Sequence, residues 1–246
     1  MPEIKFPELV EAEFINRPNR FVVECEIVND DDLKKYDLKD RKVKAHLADP
    51  GRLTGFLTER RKIWLKYVNK KSRKTKWSTV LFENIQANGY ISMKSTLPNE
   101  MAEIAVKEKY INDFKDWDYK QSEYTVGNSR FDLLLGKDNG NELLLEIKNV
   151  NYAEDNIAYF PDAVTKRGKK HVEELIELKE NSDYETALMF IVQRDDVNKL
   201  RPNIDVDPDF SASLKKAKEA GVKIIAYKTD VSLERIKLDK KINLEI

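Results

Sequence analysis

Hydrophobic and polar positions follow two different rhythms along this chain. From about residue 10 to residue 86, apolar residues recur at every second position in short segments separated by polar turns, which predicts strands and no amphipathic helix. In FVVECEIV, Phe21, Val23, Cys25 and Ile27 share a face. Val43, Ala45 and Leu47 do so in KVKAHLA, as do Ile63, Leu65 and Tyr67 in KIWLKYV. The same period sets Lys42, Lys44 and His46 together on the outside of one strand, and Lys62, Trp64 and Lys66 on the outside of another. This is the pattern of a small all-β unit.

After residue 95 the rhythm changes. Pro98 and Asn99 open a helical stretch, NEMAEIAVKEKYI, in which Asn99 is the candidate N-cap and Met101, Ile104 and Ala105 share a face. Strands follow near 119–126, 129–136 and 142–149, the last two joined by KDNGN. A helix is predicted over 163–180, then strand ETALMFIVQ, a helix opened by Asp207-Pro208 and closed by Gly221, and strand VKIIAYK. The final VSLERIKLDKKINLEI predicts an edge hairpin. The fold class is therefore α+β, with a barrel over 1–88 and an α/β domain with a mixed central sheet over 89–246.

Three polar residues interrupt two otherwise apolar strands of the second unit. In NELLLEIKNV, Leu144, Glu146 and Lys148 project from one face while Leu143, Leu145 and Ile147 project from the other; Asp132 interrupts SRFDLLLG. The short connecting turn predicts antiparallel pairing that brings Asp132 near Glu146. Two converging carboxylates repel unless protonated or bridged by a cation, and Mg²⁺, or Mn²⁺ in its place, suits such oxygen ligands. Lys148, one strand step on, can orient a bound water or offset charge on a phosphorane-like transition state. The alternative is a plain surface salt bridge between Glu146 and Lys148.

Composition narrows the picture only locally. The chain has 246 residues, 41% hydrophobic and 36% charged, with Lys+Arg and Asp+Glu both at 44, so net charge does not argue for nucleic acid. Residues 60–76, RRKIWLKYVNKKSRKTK, hold nine Lys or Arg and no acidic residue. With Trp64, Tyr67 and Trp77 interleaved, that segment suits phosphate neutralisation and base stacking; the alternative is a Lys-rich hairpin that resists edge-to-edge association. Arg52, in the loop AHLADPGRLTGFL, extends the basic surface of Lys44 and His46. No apolar run approaches a membrane span and no signal-peptide region is present, which points to a cytoplasmic protein without membrane contact. The single cysteine, Cys25, reads as a buried thiol.

The helix FPDAVTKRGKKHVEEL starts at Asp162 as candidate cap and gathers Lys166, Arg167, Lys169 and Lys170 in its opening turns. Cations there oppose the helix dipole, so an anionic partner such as a phosphate is expected, held chiefly by Arg167 with Lys166 and Lys170. His171 has no Cys or His at ligand spacing and reads as a helix-surface or phosphate-contact residue.

GNSRFDLLL at 127–135, EIKNV at 146–150, FPDAVTKRGKKHVEEL at 160–175 and VQRDD at 192–196 together resemble the sugar fermentation stimulation protein A family, within the PD-(D/E)xK nuclease superfamily. The resemblance implies an N-terminal OB-fold-like barrel and a C-terminal nuclease-like domain. It implies a metal shell of Asp132, Glu146 and the Ile147 carbonyl, with Glu103 on the first helix completing it and Gln193 beside Lys148. It also implies a DNA partner, duplex or single-stranded. The chain departs from the pattern in having Phe131 before Asp132, and Asp49-Pro50-Gly51 where bacterial members carry Asn-Thr-Gly. A non-cleaving DNA-binding regulator and an RNA-processing nuclease stand as alternatives, and a homodimer is left open.

Overall fold

The computed structural model describes residues 1–49, 51–53 and 55–246; Pro50 and Thr54, both in the 45–57 loop, lie outside the described residues. Strand β1 (Glu3–Lys5) precedes the barrel strands β2 (Val10–Asn19) and β3 (Val22–Ile27). A short helix α1 (Asp30–Lys35) follows, then β4 (Lys42–His46), β5 (Lys62–Tyr67), β6 (Trp77–Asn84) and β7 (Gly89–Ser92). Antiparallel pairing runs β4-β3-β2-β5-β6, and a parallel β4–β6 pairing at Ala45 and His46 closes the ring, with β7 extending β6 beyond it. Five strands thus make a closed OB-type barrel, which removes the exposed edges an open sheet would carry.

Alternation explains the barrel core: Val23, Cys25, Ile27, Ala45, Leu47, Ile63 and Leu65 are all buried inside it. Burial pushes the Cys25 thiol up to about 12, which leaves it unreactive. Phe21 departs from the expectation because β3 begins one residue later, leaving it exposed. Helix α1 falls in a stretch where only strands and turns were expected. It buries nothing and stands on its ends, with Asn29 accepting from the Asp31 N–H, aspartates in the first turn and Lys34 and Lys35 in the last.

The second unit comprises α2 (Leu97–Lys107), β8 (Asp118–Val126), β9 (Ser129–Gly136), β10 (Glu142–Val150), β11 (Ala153–Glu154), β12 (Ile157–Phe160), α3 (Lys166–Asn181), β13 (Glu185–Val192), β14 (Lys199–Pro202), α4 (Pro208–Glu219), β15 (Lys223–Val231), β16 (Arg235–Lys241) and β17 (Asn243–Leu244). Its main sheet has the order β1-β16-β15-β13-β10-β9-β8, with β10, β13 and β15 parallel and the flanking pairs antiparallel. The sequence α2-β8-β9-β10-α3-β13 forms the core of this unit. β13 is buried from Thr186 to Val192, as a central parallel strand covered on both faces must be. A smaller sheet, β11-β12-β14-β17, flanks it.

One face of the main sheet packs on α2 and on the barrel, the other on α3 and α4. Between the units, Arg194 is buried at 2% exposure, paired with the largely enclosed Asp196, and donates to the Asn151 carbonyl and to Asn84 and Gln86 of the barrel. The span 1–88 expected for the barrel includes β1, which pairs with β16 in the C-terminal sheet and packs its Ile4 against that unit's core.

Candidate active site

Strands β9 and β10 pair from Gly136/Glu142 to Leu133/Leu145 and then part. At the fork, Asp132 turns its carboxylate to the freed backbone: Oδ2 accepts the Ile147 N–H at 2.7 Å. Its Oδ1 accepts from the Asn99 side chain at 2.6 Å. Helix α2 begins at Leu97, earlier than expected, with Thr96 as N-cap and Pro98 in the first turn, so Asn99 lies within the helix and is free to reach Asp132.

Glu146 is 3% exposed. Its Oε1 accepts from Lys148 Nζ at 2.6 Å and from His171 Nδ1 at 2.5 Å, while its Oε2 is buried without a partner among the described residues. Arg167 Nε stands 3.3 Å from His171 Nε2. That ring nitrogen accepts, so Nδ1 carries the proton toward Glu146, and the imidazole bridges a guanidinium and a carboxylate. His171 thus stands between Arg167 and Glu146 and not on the open helix surface, the first of the two places expected for it; phosphate contact is the second. Its signal in the sequence is helical: it lies one turn beyond Arg167, on the face of α3 that meets the sheet.

The cap of α3 is Thr165, whose Oγ1 accepts from Gly168 N at 3.0 Å, and not Asp162. Gly168 has no room for a side chain, because a Cβ there would lie 2.8 Å from the Thr165 side chain. This tight first turn directs Arg167 and His171 at the strand end. No acidic residue offsets the dipole in that turn.

The two carboxylates are driven apart in acidity. Burial, then the neighbouring Glu146 charge, push Asp132 up to about 6, against the opposing Ile147 N–H, Lys148 and Asn99. Burial acts to raise Glu146 as well, but His171 and Lys148 outweigh it and hold that group below the ordinary value. The site thus pairs an ionised carboxylate with one that is readily protonated. Among the described residues, no group of three His, Cys, Asp or Glu side chains stands at metal-holding spacing. The unpartnered Glu146 Oε2 beside Asp132 is nevertheless an oxygen that a hard cation would satisfy, so the two carboxylates fit a divalent ion.

The family model "Sugar fermentation stimulation protein RE domain" matches residues 96–235, and "SfsA N-terminal OB domain" matches residues 15–93. The chain belongs to the sugar fermentation stimulation protein family. A homolog from Shouchella clausii (strain KSM-K16) is 39% identical over 97% of this chain and 98% of its own. One from Methanosphaera stadtmanae is 38% identical over 91% and 88%. The solved Pyrococcus furiosus SfsA, in complex with Ca²⁺, is 27% identical, covers 100% of both chains and superposes with a TM-score of 0.86. Asp132, Glu146, Lys148 and His171 all fall within the span of the family's RE domain.

Several other residues expected at the site of this family member lie elsewhere. Glu103 is one turn beyond Asn99 and sits over β8, where Lys107 and Ser122 occupy its two oxygens at 2.5 and 2.6 Å. Gln193 follows β13 on the opposite face from Lys148, since register pairs Lys148 with Phe190. It donates to Asn149 Oδ1 and to the Lys94 carbonyl. Trp64 is not an outer stacking residue: it is buried against the second unit, edge-on to Tyr90 at 4.9 Å. Trp77 is buried in the barrel with Tyr36 and Tyr67. Strand alternation separates two faces, but it does not tell which outer face another domain covers.

The cations divide. Lys44 pairs with Glu24 and Lys62 with Glu11, both on the barrel surface, and His46 Nδ1 contacts the Phe21 carbonyl. Lys66, Lys70, Lys71, Lys74 and Lys76 are exposed, with no acidic partner among the described residues. Arg52 is exposed on its loop, Lys166 is exposed beside Arg167, and Lys170 pairs with Glu174. No helix is long and apolar enough to cross a membrane among the described residues.

Proposed function

We propose that this protein is a metal-dependent nuclease that hydrolyses phosphodiester bonds in DNA at the β9–β10 fork. The observation that carries the reading is Glu146 Oε2, buried without a partner among the described residues on the strand next to that of Asp132, whose proton affinity the Glu146 charge raises; a proton or a cation would satisfy that oxygen. Asp132, Glu146 and the Ile147 carbonyl would hold Mg²⁺ or Mn²⁺, and the Ca²⁺ complex of the Pyrococcus furiosus relative supports the use of a divalent ion. The bound ion supplies Lewis-acid polarisation of the phosphoryl group and a more acidic water.

The chain's own residues do the remainder. Asn99 and the Ile147 N–H fix the Asp132 carboxylate. Lys148 carries its charge 2.6 Å from Glu146 Oε1, where it can offset negative charge building on the phosphoryl oxygens. His171 holds Glu146 on one side and Arg167 on the other, so the guanidinium is held toward the fork, where its terminal N–H groups, without a partner among the described residues, would meet a phosphate. The exposed lysines from Lys66 to Lys76 would neutralise the flanking backbone without reading sequence.

Incubation of DNA and RNA substrates with Mg²⁺ or Mn²⁺ tests the reading. Metal-dependent products are expected from the natural chain and at least about a hundredfold less from Asp132→Ala; products that persist undiminished in that variant would refute it. One observation favours a second reading, a DNA-binding regulator without turnover: Glu146 Oε1 already accepts from two donors. Retention of DNA with no product under any metal would select that reading.

A further inference from the structure

We propose that the cleft between Leu53 and Phe56 of the barrel and strands β11 and β12 is a pocket for an unpaired nucleobase, so that the nucleic acid engaged here is single-stranded, flapped or frayed. The proposal rests on the reading of the neighbouring fork as a nucleic-acid site. The cleft encloses about 410 Å³ and continues into a smaller recess of about 80 Å³. Its main chamber falls within the ~300–1,000 Å³ of small-molecule pockets. The recess reaches Asn149, which follows Lys148 on the same strand and projects from the other face of the sheet, so cleft and candidate site share a strand end from opposite sides.

Its walls carry the groups a base needs. Tyr152 and Tyr159 form one wall, ring centroids 6.2 Å apart and tilted by 47°, and Phe56 contributes a third ring. The barrel's tryptophans are buried, whereas these rings line an open cleft in which a base could stack upon them. In the recess, Asn151 is 7% exposed and its Oδ1 has no hydrogen-bond partner among the described residues, while its Nδ2 is committed to Asp49 at 3.0 Å. Asp162 adds a carboxylate to both chambers.

These are acceptors, and they match the amino and imino donors on base edges. Phosphate would be repelled by them. Arg52 brings a cation to the outer chamber and suits the phosphate that must remain outside. The rim packs closely on Asp162: a Cβ on Gly51 would lie 2.6 Å from the Asp162 carboxylate, and Arg17 donates to the Gly51 carbonyl at 2.9 Å.

The test is binding of the full chain, in chelator and at fixed salt, to a short labelled single strand and to the blunt duplex of the same sequence, in DNA and RNA forms. Tyr159→Leu and Tyr152→Leu are each expected to weaken single-strand binding by roughly tenfold or more, as loss of one stacked base implies. Duplex binding should stay within about twofold, and Tyr159→Phe should restore the single-strand value. A strand made abasic at one position should lose its sensitivity to Tyr159→Leu. Equal weakening of both substrates, or no weakening in folded variants, would overturn the pocket. So would displacement by spermidine without any effect of the tyrosines, which would assign the cleft to a cation. Because metal is absent from this assay, failure of cleavage leaves its result untouched, and failure of the tyrosine effect leaves the cleavage reading untouched.

Discussion

The barrel's basic hairpin and the fork of β9 and β10 both concentrate charge, but they do so under opposite physical conditions. On the hairpin, Lys66, Lys70, Lys71, Lys74 and Lys76 stand in water and each could be exchanged at little cost to the fold. At the fork, Asp132, Glu146, Lys148 and His171 are largely withdrawn from water, and one carboxylate oxygen is left without a partner among the described residues. Solvated charge is cheap and tells little about purpose. Charge that is buried and incompletely satisfied works against stability, and its retention points to a ligand.

That contrast can be broken most severely by removing the fork's charges. Lys148→Ala and Asp132→Ala should each reduce metal-dependent cleavage by about 10² to 10⁴, with DNA retention in a filter or anisotropy assay changed by no more than a few-fold. The buried Arg194–Asp196 pair sets the scale for stability: Arg194→Leu leaves Asp196 enclosed and unpaired and should cost about 3–5 kcal/mol in urea unfolding.

Asp132→Asn should act in the opposite sense on stability. A carboxyl with a folded pKa of about 6 holds its proton longer than in the unfolded chain, so stability falls as pH rises from about 4 through 6 and the deficit persists above it. The metal-free Asn variant should therefore be more stable than the natural chain at pH 7, by about 1–3 kcal/mol, and indistinguishable below about pH 4. Added Mg²⁺ or Mn²⁺ should raise the midpoint of the natural chain and not of the variant.

A smaller effect is expected at the hairpin. Replacing Lys70, Lys71 and Lys74 by Ala should leave the unfolding midpoint nearly unchanged, while the slope of log K against log salt becomes shallower by about 0.9 for each duplex phosphate no longer neutralised. The smallest belongs to Lys62→Ala, whose solvent-exposed pairing with Glu11 should leave both the unfolding midpoint and DNA binding close to those of the natural chain.

Much of this architecture is legible from period alone. Strands β8, β9 and β10, and the placing of Asp132 and Glu146 on neighbouring strands, follow from alternation interrupted by charge. What is not legible depends on helix phase and on domain docking. Starting α2 at Leu97 turns Asn99 from a cap into a hydrogen-bond donor to Asp132 and carries Glu103 over β8. The burial of Trp64 is decided by a second domain, of which strand β5 bears no mark. His171 lacks any metal-type spacing, and its role comes instead from lying one helical turn after Arg167.

The pairing of β1 with β16 joins residues far apart in the chain, as in the Arg235 to Glu3 hydrogen bond across 232 positions. The C-terminal sheet is therefore not finished until the polypeptide has left it, built an entire barrel and returned. This gives the chain a high contact order, and its last folding step should be slow and common to both units. A fragment starting at residue 89 would present β16 with its backbone unpaired, and such an edge invites association with another copy.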